Sequence, residues 1–295
     1  MRLSTRPPVP LVPLQSSPDP AAQNPSPVAT RATELATALG PLAGDFALDW
    51  VSECASTNTA LVDAPPADDG RIHVLVADRQ RAGRGRRGRQ WLSWEGASLT
   101  FSTLWRFSPG APAPAGLSLV AGLALARALE QLGVQGVQLK WPNDVLVHGN
   151  KLAGILIDLL PGRGRPPAAV IGIGLNLRLP AGHGIENQTG VTDLAQALEC
   201  DAPPASAAVL AGILTEMHHL FHTYAAAGFP ALRGAWQQRN AFADLPVRIV
   251  SDQDVRIGIC AGVDDDGALL LRTDTGMQRI LAGDVSLRPL TGDAA

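Results

Sequence analysis

The sequence predicts strands and helices interleaved in one globular unit, closed by a small β-barrel. Three observations carry this. From Phe46 to about residue 239, segments with strand alternation and segments with helical period succeed one another. After Asn240 the texture changes to short strands broken by turn signals at Asp266-Gly267, Thr275-Gly276 and Gly283-Asp284, which suits a small barrel of five strands. Residues 1–29, by contrast, hold eight prolines and no hydrophobic period. Such a chain cannot bury enough surface to offset its ordering entropy. The expected organisation is a disordered tail over 1–29, a main unit over 30–239 and a C-terminal barrel over 240–295.

Each element has its local reason. Residues 30–40 are rich in Ala and Leu and predict a short helix ending at Gly40-Pro41. Phe46-Ala47-Leu48-Asp49-Trp50-Val51 alternates as a strand, and one of Ser56, Thr57 and Asn58 is placed to cap a helix over the following apolar residues. Residues 72–77 and 98–105 predict two more strands. Leu117, Val120, Ala124, Ala128 and Leu132 mark one helical face that Gly133 closes. Residues 137–141 predict a strand ended by Pro142, and residues 155–160 and 169–175 a pair joined by the turn-rich 161–164. Val209, Ile213, Met217, Leu220 and Tyr224 set the buried stripe of a long helix.

Composition excludes several classes. With 46% apolar residues and a net charge of −3, the chain reads as an ordinary soluble protein rather than a general nucleic-acid or membrane-surface binder. Residues 107–126 carry no charge, but Pro112, Pro114 and their many small residues argue against a membrane span. Cys54, Cys200 and Cys260 are scattered and form no C-x-x-C pair, which fits reduced thiols in a cytoplasm and neither a disulfide frame nor a zinc site. No secretory signal precedes them.

The densest chemistry lies at residues 81–91. Nine residues, 81–89, hold five arginines, three glycines and no acid, so the rest of the chain sums to −8. Arginine offers a planar fork of donors to phosphate or carboxylate, and glycine lets the main chain come close. Lys140-Trp141-Pro142-Asn143-Asp144 follows a strand; it is either a presented amide, carboxylate and cation or simply a good turn sequence. Lys151, at the mouth of an apolar strand, is either a solvated end or a placed cation. Gly172-Ile173-Gly174-Leu175-Asn176 lacks the third glycine and following helix of a dinucleotide fingerprint. Its glycines read instead as a thin strand beneath a ligand. His218, His219 and His222 lie outside the apolar stripe of their helix with no evident carboxylate partner, which favours a solvated face over a metal site. No nucleophile elbow, H-E-x-x-H or Walker loop occurs. An RGG-like RNA-binding role for the arginine loop is disfavoured by its single occurrence between apolar strands.

Taken together and in this order, these blocks resemble the biotin–protein ligases, also called biotin–[acetyl-CoA carboxylase] ligases. The matching residues are Ser56-Thr57-Asn58, Gln80, the run from Gly83 to Trp91, residues 140–144, Lys151-Leu152-Ala153-Gly154-Ile155-Leu156 and residues 172–176, with Gly267–Leu271 and Val285–Arg288 near the end. The resemblance covers roughly residues 46–290. It implies an α+β fold: a mixed sheet with helices packed on it, of the kind shared with lipoate ligases and class II aminoacyl-tRNA synthetases, and then an SH3-like barrel. The tail before Phe46 leaves no evident room for the DNA-binding unit of bifunctional relatives, so a ligase alone is expected.

The resemblance also implies a two-step reaction. Biotin and ATP, with Mg²⁺, give biotinyl-5′-AMP, and a lysine of a biotin carboxyl carrier protein takes the biotin. Carried over by motif, Ser56, Thr57, Asn58, Gln80, Arg84, Gly85, Arg86, Lys151 and Gly154 would hold biotin. Arg87, Arg89, Trp91, Lys140, Asn143, Asp144 and Asn176 would hold ATP and the adenylate, with Asp144 a candidate Mg²⁺ contact. Lys151 and Arg86 are the expected catalytic cations, and the Gly/Arg loop that carries Arg86 is expected to be loose when empty and ordered when filled. No nucleic-acid or membrane partner is expected, and both monomer and homodimer stay open. The rival within the fold is a lipoate or octanoyl transferase. Polar Ser56, Thr57, Asn58 and Gln80 favour a ureido ring over an alkyl chain, which gives those groups nothing to bond.

Overall fold

Two sheets organise the chain in this computed structural model, which describes residues 27–108, 114–161, 167–181, 190–250, 255–281 and 286–289. The first contains β1 (Phe46–Cys54), β2 (Ile72–Gln80), β3 (Ser98–Arg106), β4 (Val137–Lys140), β5 (Asp144–Val147), β6 (Asn150–Leu160) and β7 (Ala168–Asn176). Its order is β1-β2-β3-β7-β6-β5-β4, with β1 and β2 parallel and the other neighbours antiparallel. This is the mixed sheet expected from the sequence. The second sheet contains β8 (Pro246–Val250), β9 (Val255–Val263), β10 (Leu269–Thr273), β11 (Gly276–Ile280) and β12 (Ser286–Pro289), ordered β11-β10-β9-β8-β12 and antiparallel throughout. The turns at Asp266-Gly267 and Thr275-Gly276 fall where the sequence put them. The one at Gly283-Asp284 lies outside the described residues.

The helices are α1 (Pro27–Leu39), α2 (Thr57–Asp63), α3 (Leu117–Gln131), α4 (Leu194–Ala197), α5 (Ser206–Ala227) and α6 (Pro230–Gln237). The strand period of two sorts the sheet's side chains. Ile155, Ile171 and Ile173 join the core shared with α1, α3 and α5, while Gly154, Gly172 and Gly174 present the opposite face to the site. Helix α3 is buried almost all round, which accounts for the uncharged stretch that raised the membrane question. Among the described residues no helix is long and apolar enough to cross a membrane.

Several expectations need correction. Of the predicted tail, residues 1–26 lie outside the described residues, but 27–29 open α1, where proline suits the first helical position because that N–H is unpaired anyway. Helix α1 is held by a buried node: Asp78 accepts from Trp50 Nε1 at 2.8 Å and pairs with Arg31 at 2.7 Å. Strand β5 and helices α4 and α6 were not anticipated. Residues 140–144 are a hairpin turn whose last residue, Asp144, already pairs with Lys140 in β5–β4 register. Helix α6 is short and gains its stability by burying Leu232 and Trp236.

The two sheets share one hydrophobic cluster rather than two separate cores. Trp141, 1% exposed, donates from Nε1 to the Gly267 carbonyl at 3.1 Å. Gly267, at φ +77°, packs so tightly that a Cβ there would stand 2.7 Å from the Gly116 Cα. The C-terminal sheet is thereby fixed against the strand end that carries the Lys140–Asp144 turn.

Candidate active site

A cleft of about 450 Å³ lies on the glycine face of the first sheet, and all sixteen residues singled out from the sequence line it. They divide into a neutral end and a cationic end.

The neutral end is built on β2, β3 and the start of α2. Ser56 caps α2 by accepting from the Thr59 N–H at 3.4 Å, which leaves its hydroxyl hydrogen to donate elsewhere. Gln80 Oε1 accepts the Thr57 N–H at 2.7 Å and its hydroxyl at 3.2 Å, so the two Gln80 amide hydrogens remain for another acceptor. Ser102, fully buried on β3, lies 2.6 Å from Asn58 Oδ1 and 2.7 Å from Thr57 Oγ1. Asn58 Nδ2 donates to Asp158 at 2.9 Å and to the Leu156 carbonyl at 3.3 Å. Asn58 is thus largely spent on its neighbours. Asp158 also pairs with Arg84 at 3.1 Å, and Arg84 reaches Thr59 Oγ1 at 3.2 Å.

The cationic end is made by the arginine segment and the 140–151 hairpin. Residues 83–91 form a folded hairpin. The Gly85 N–H donates to Arg89 O at 2.7 Å and the Trp91 N–H to Gly83 O at 2.9 Å. Gly83 is required there, since a Cβ would stand 2.4 Å from the Trp91 carbonyl oxygen. Arg86 donates to Asn143 Oδ1 at 3.1 Å, and Asn143 Nδ2 is anchored on Ile155 O at 2.8 Å. Lys151 pairs with Asp144 at 2.7 Å. Burial pushes the Lys140 ammonium below the usual lysine pKa, against the opposing pull of Asp144. Asn176, buried, donates to Thr192 O at 3.0 Å. With Arg84, Arg86, Arg87, Arg89, Lys140, Lys151 and Arg288 in the wall, seven cations face one carboxylate, Asp144.

The glycine strand is thin for a reason other than the one expected. Gly154 and Gly174 stand opposite each other on β6 and β7, and the Trp91 indole lies across them: a Cβ on Gly174 would stand 2.2 Å from the ring. A Cβ on Gly172 would stand 2.1 Å from Asn58 Oδ1. Each glycine therefore makes room for a side chain of the site. Buried Trp91 Nε1 has no hydrogen-bond partner in the structure.

Four residues of this constellation escaped the sequence reading: Ser102, Asp158, Thr59 and, as a cleft residue, Arg288 from the C-terminal sheet. Ser102 belongs to Thr100 and Ser102, polar residues on a strand buried along its length, and Asp158 interrupts an apolar run. Both were signals, because a polar group placed there must find a partner. The histidine reading also changes. His218 is only 17% exposed, pairs with Asp45 at 3.1 Å and stacks edge-on to His222 at 4.4 Å. Among the described residues no cluster of His, Cys, Asp and Glu could hold a metal ion by itself.

Comparison with known proteins agrees with this geometry. Residues 55–176 match the biotin/lipoate A/B protein ligase family and residues 246–288 the biotin protein ligase C-terminal domain. The chain is 35% identical over 216 residues to the bifunctional ligase/repressor BirA of Escherichia coli, covering 73% of this chain and 66% of that protein. It is 35% identical over 243 residues to the biotin–[acetyl-CoA-carboxylase] ligase of Paracoccus denitrificans, covering 78% of this chain and 96% of that one. The biotin protein ligase of Aquifex aeolicus, solved with biotin and ATP, superposes with a TM-score of 0.71 at 29% identity, over 83% of this chain and 99% of the other. The architecture, the cleft and these likenesses together make the chain a member of the biotin protein ligase family.

Proposed function

We propose that this protein is an ATP-dependent ligase that joins biotin to AMP and then to a lysine of a biotin carboxyl carrier protein of acetyl-CoA carboxylase. The observation that carries the reading is the cleft's division: seven cations and one carboxylate beside a buried, neutral hydrogen-bonding end. Biotin's carboxylate, with a pKa near ~4–5, is already ionised at neutral pH, so its attack on the α-phosphate needs no general base. It needs two anions brought together, and fixed cations in a partly dry cleft supply that. Lys151 would sit between the carboxylate and the α-phosphate, and Arg86 would hold the adenylate from above. In the second step the acceptor's neutral amine attacks the acyl carbon and AMP leaves.

At the neutral end, the Ser56 hydroxyl and the Gln80 amide would donate to the ureido oxygen. Asn58 Oδ1 would accept a ureido N–H with its remaining lone pair. Trp91, backed by Gly154 and Gly174, offers a flat apolar wall to the adenine, with Arg87, Arg89, Lys140, Asn143 and Asn176 around the nucleotide. A Mg²⁺ ion would enter with the triphosphate, which suits a site with a single carboxylate, Asp144. Bound there, it would neutralise phosphate charge. On this reading residues 30–239 carry the chemistry, residues 240–295 close the cleft with Arg288, and the free thiols suit a cytoplasmic enzyme.

The test is incubation with biotin, ATP, Mg²⁺ and a purified carrier protein, followed by peptide mass analysis. One biotinylated carrier lysine is expected. An unmodified carrier in the presence of released pyrophosphate would reject the proposed acceptor.

A further inference from the structure

We propose that Asp158 is a positioning residue that fixes which end of the Asn58 amide faces the cleft, and so selects an acid whose ring carries N–H groups. This rests on the ligase reading above. An amide side chain can present either its oxygen or its NH2 group, because the two ends are nearly the same shape. At Asn58, which is buried, the neighbours make the choice. Asp158 Oδ2 stands 2.9 Å from Nδ2 and the Leu156 carbonyl oxygen 3.3 Å from it, and both only accept. They take both amide hydrogens, so Nδ2 has none left for a ligand.

On the other side, the fully buried Ser102 hydroxyl reaches Oδ1 at 2.6 Å. That leaves Asn58 one lone pair to offer, above Gly172, where a Cβ would stand 2.1 Å from Oδ1. A flipped amide would set its oxygen against a carboxylate and a carbonyl, which is unfavourable. The locked orientation therefore asks the ligand for an N–H. A ureido ring has one to give, while an alkyl chain or a dithiolane ring leaves the buried oxygen short of a partner. The lock needs a carboxylate, because Asp158 Oδ1 also pairs with Arg84 at 3.1 Å. Both neighbours of Asp158 donate. In Asp158→Asn the single amide oxygen serves one of them and the NH2 group opposes the other.

The test is a double-mutant cycle on the full chain, with biotin as the probe and Kd read by calorimetry. Asp158→Asn should raise the biotin Kd about tenfold, with KM for ATP kept. In an Asn58→Ala background the same change should add less than about twofold, since the group through which Asp158 acts is gone. Asp158→Glu keeps two acceptor oxygens on a side chain with solvent beside it, and should bind biotin nearly as the wild type does. Equal losses in the two backgrounds, or an unchanged Kd in Asp158→Asn, would overturn the positioning role alone. A wild-type protein that does not bind biotin would overturn the ligase reading together with it.

Discussion

At the neutral end of the cleft, Thr57, Asn58, Ser102 and Asp158 stand on strands or a helix's first turn and bond one another at 2.6–2.9 Å. At the cationic end, Arg87 and Arg89 are exposed and ride on a hairpin that projects from the end of β2. The first region is rigid because each buried polar atom has a partner, and losing one leaves another unpaired. The second keeps Arg87 and Arg89 exposed at the rim of the cleft, where the planar donor forks of arginine can meet an entering phosphate. A small head group needs the first kind of wall. A triphosphate that must enter, react and leave as pyrophosphate needs the second. The contrast assigns recognition to one end and charge compensation to the other.

The largest effect should come from the cationic end. Lys151→Ala should cut biotin-dependent pyrophosphate release by about 10²–10³-fold, with the thermal midpoint little changed. A near-normal rate would remove Lys151 from the reaction. Next, Gly174→Ala should push the indole of Trp91 off its glycine platform, because 2.2 Å leaves a methyl group no room. We expect KM for ATP to rise roughly tenfold, of the order of a lost aromatic contact. Equal KM values for the two proteins would show that the ring is not part of the nucleotide wall.

At the neutral end, Asn58→Ala leaves Asp158 and Ser102 short of partners. A loss of about 1–3 kcal/mol is expected in biotin binding, read by calorimetry, with ATP affinity kept. An equal loss of both affinities would erase the division of labour. Arg86→Gly tests the adenylate's retention: adenylation should continue while bystander lysines become biotinylated, and undiminished selectivity for the carrier would argue against that role. The smallest effect lies outside the cleft. Burial, then the neighbouring His222 and His219, hold the His218 pKa below 6.5 despite Asp45. The unfolded chain then takes up a proton more readily than the folded one, so stability is lost as pH falls through about 6.5. Substituting His218→Gln should flatten that slope in a series of melting curves.

Much of this was legible because the signals are local. The arginine hairpin, residues 140–144, Lys151 and the glycine strand are contiguous in sequence, and all line one cleft. What stayed hidden depends on register. Ser102 matters only because β3 lies between β2 and β7, and Asp158 only because β6 brings it beneath Asn58 across 100 positions. The glycines were read rightly as a thin strand but assigned to a ligand, since nothing local says that Trp91 folds back onto Gly174. Strand β5 was missed because its first residue also completes a turn.

The central claim, that the neutral end selects a ureido acid for activation at the cationic end, is tested most directly by acceptor-free pyrophosphate release. Biotin, lipoate and octanoate would be compared in parallel with ATP and Mg²⁺. Release with biotin alone, leaving bound biotinyl-5′-AMP, is the expected result. Equal or greater release with lipoate or octanoate would contradict it, leaving the fold in place and the assigned substrate wrong.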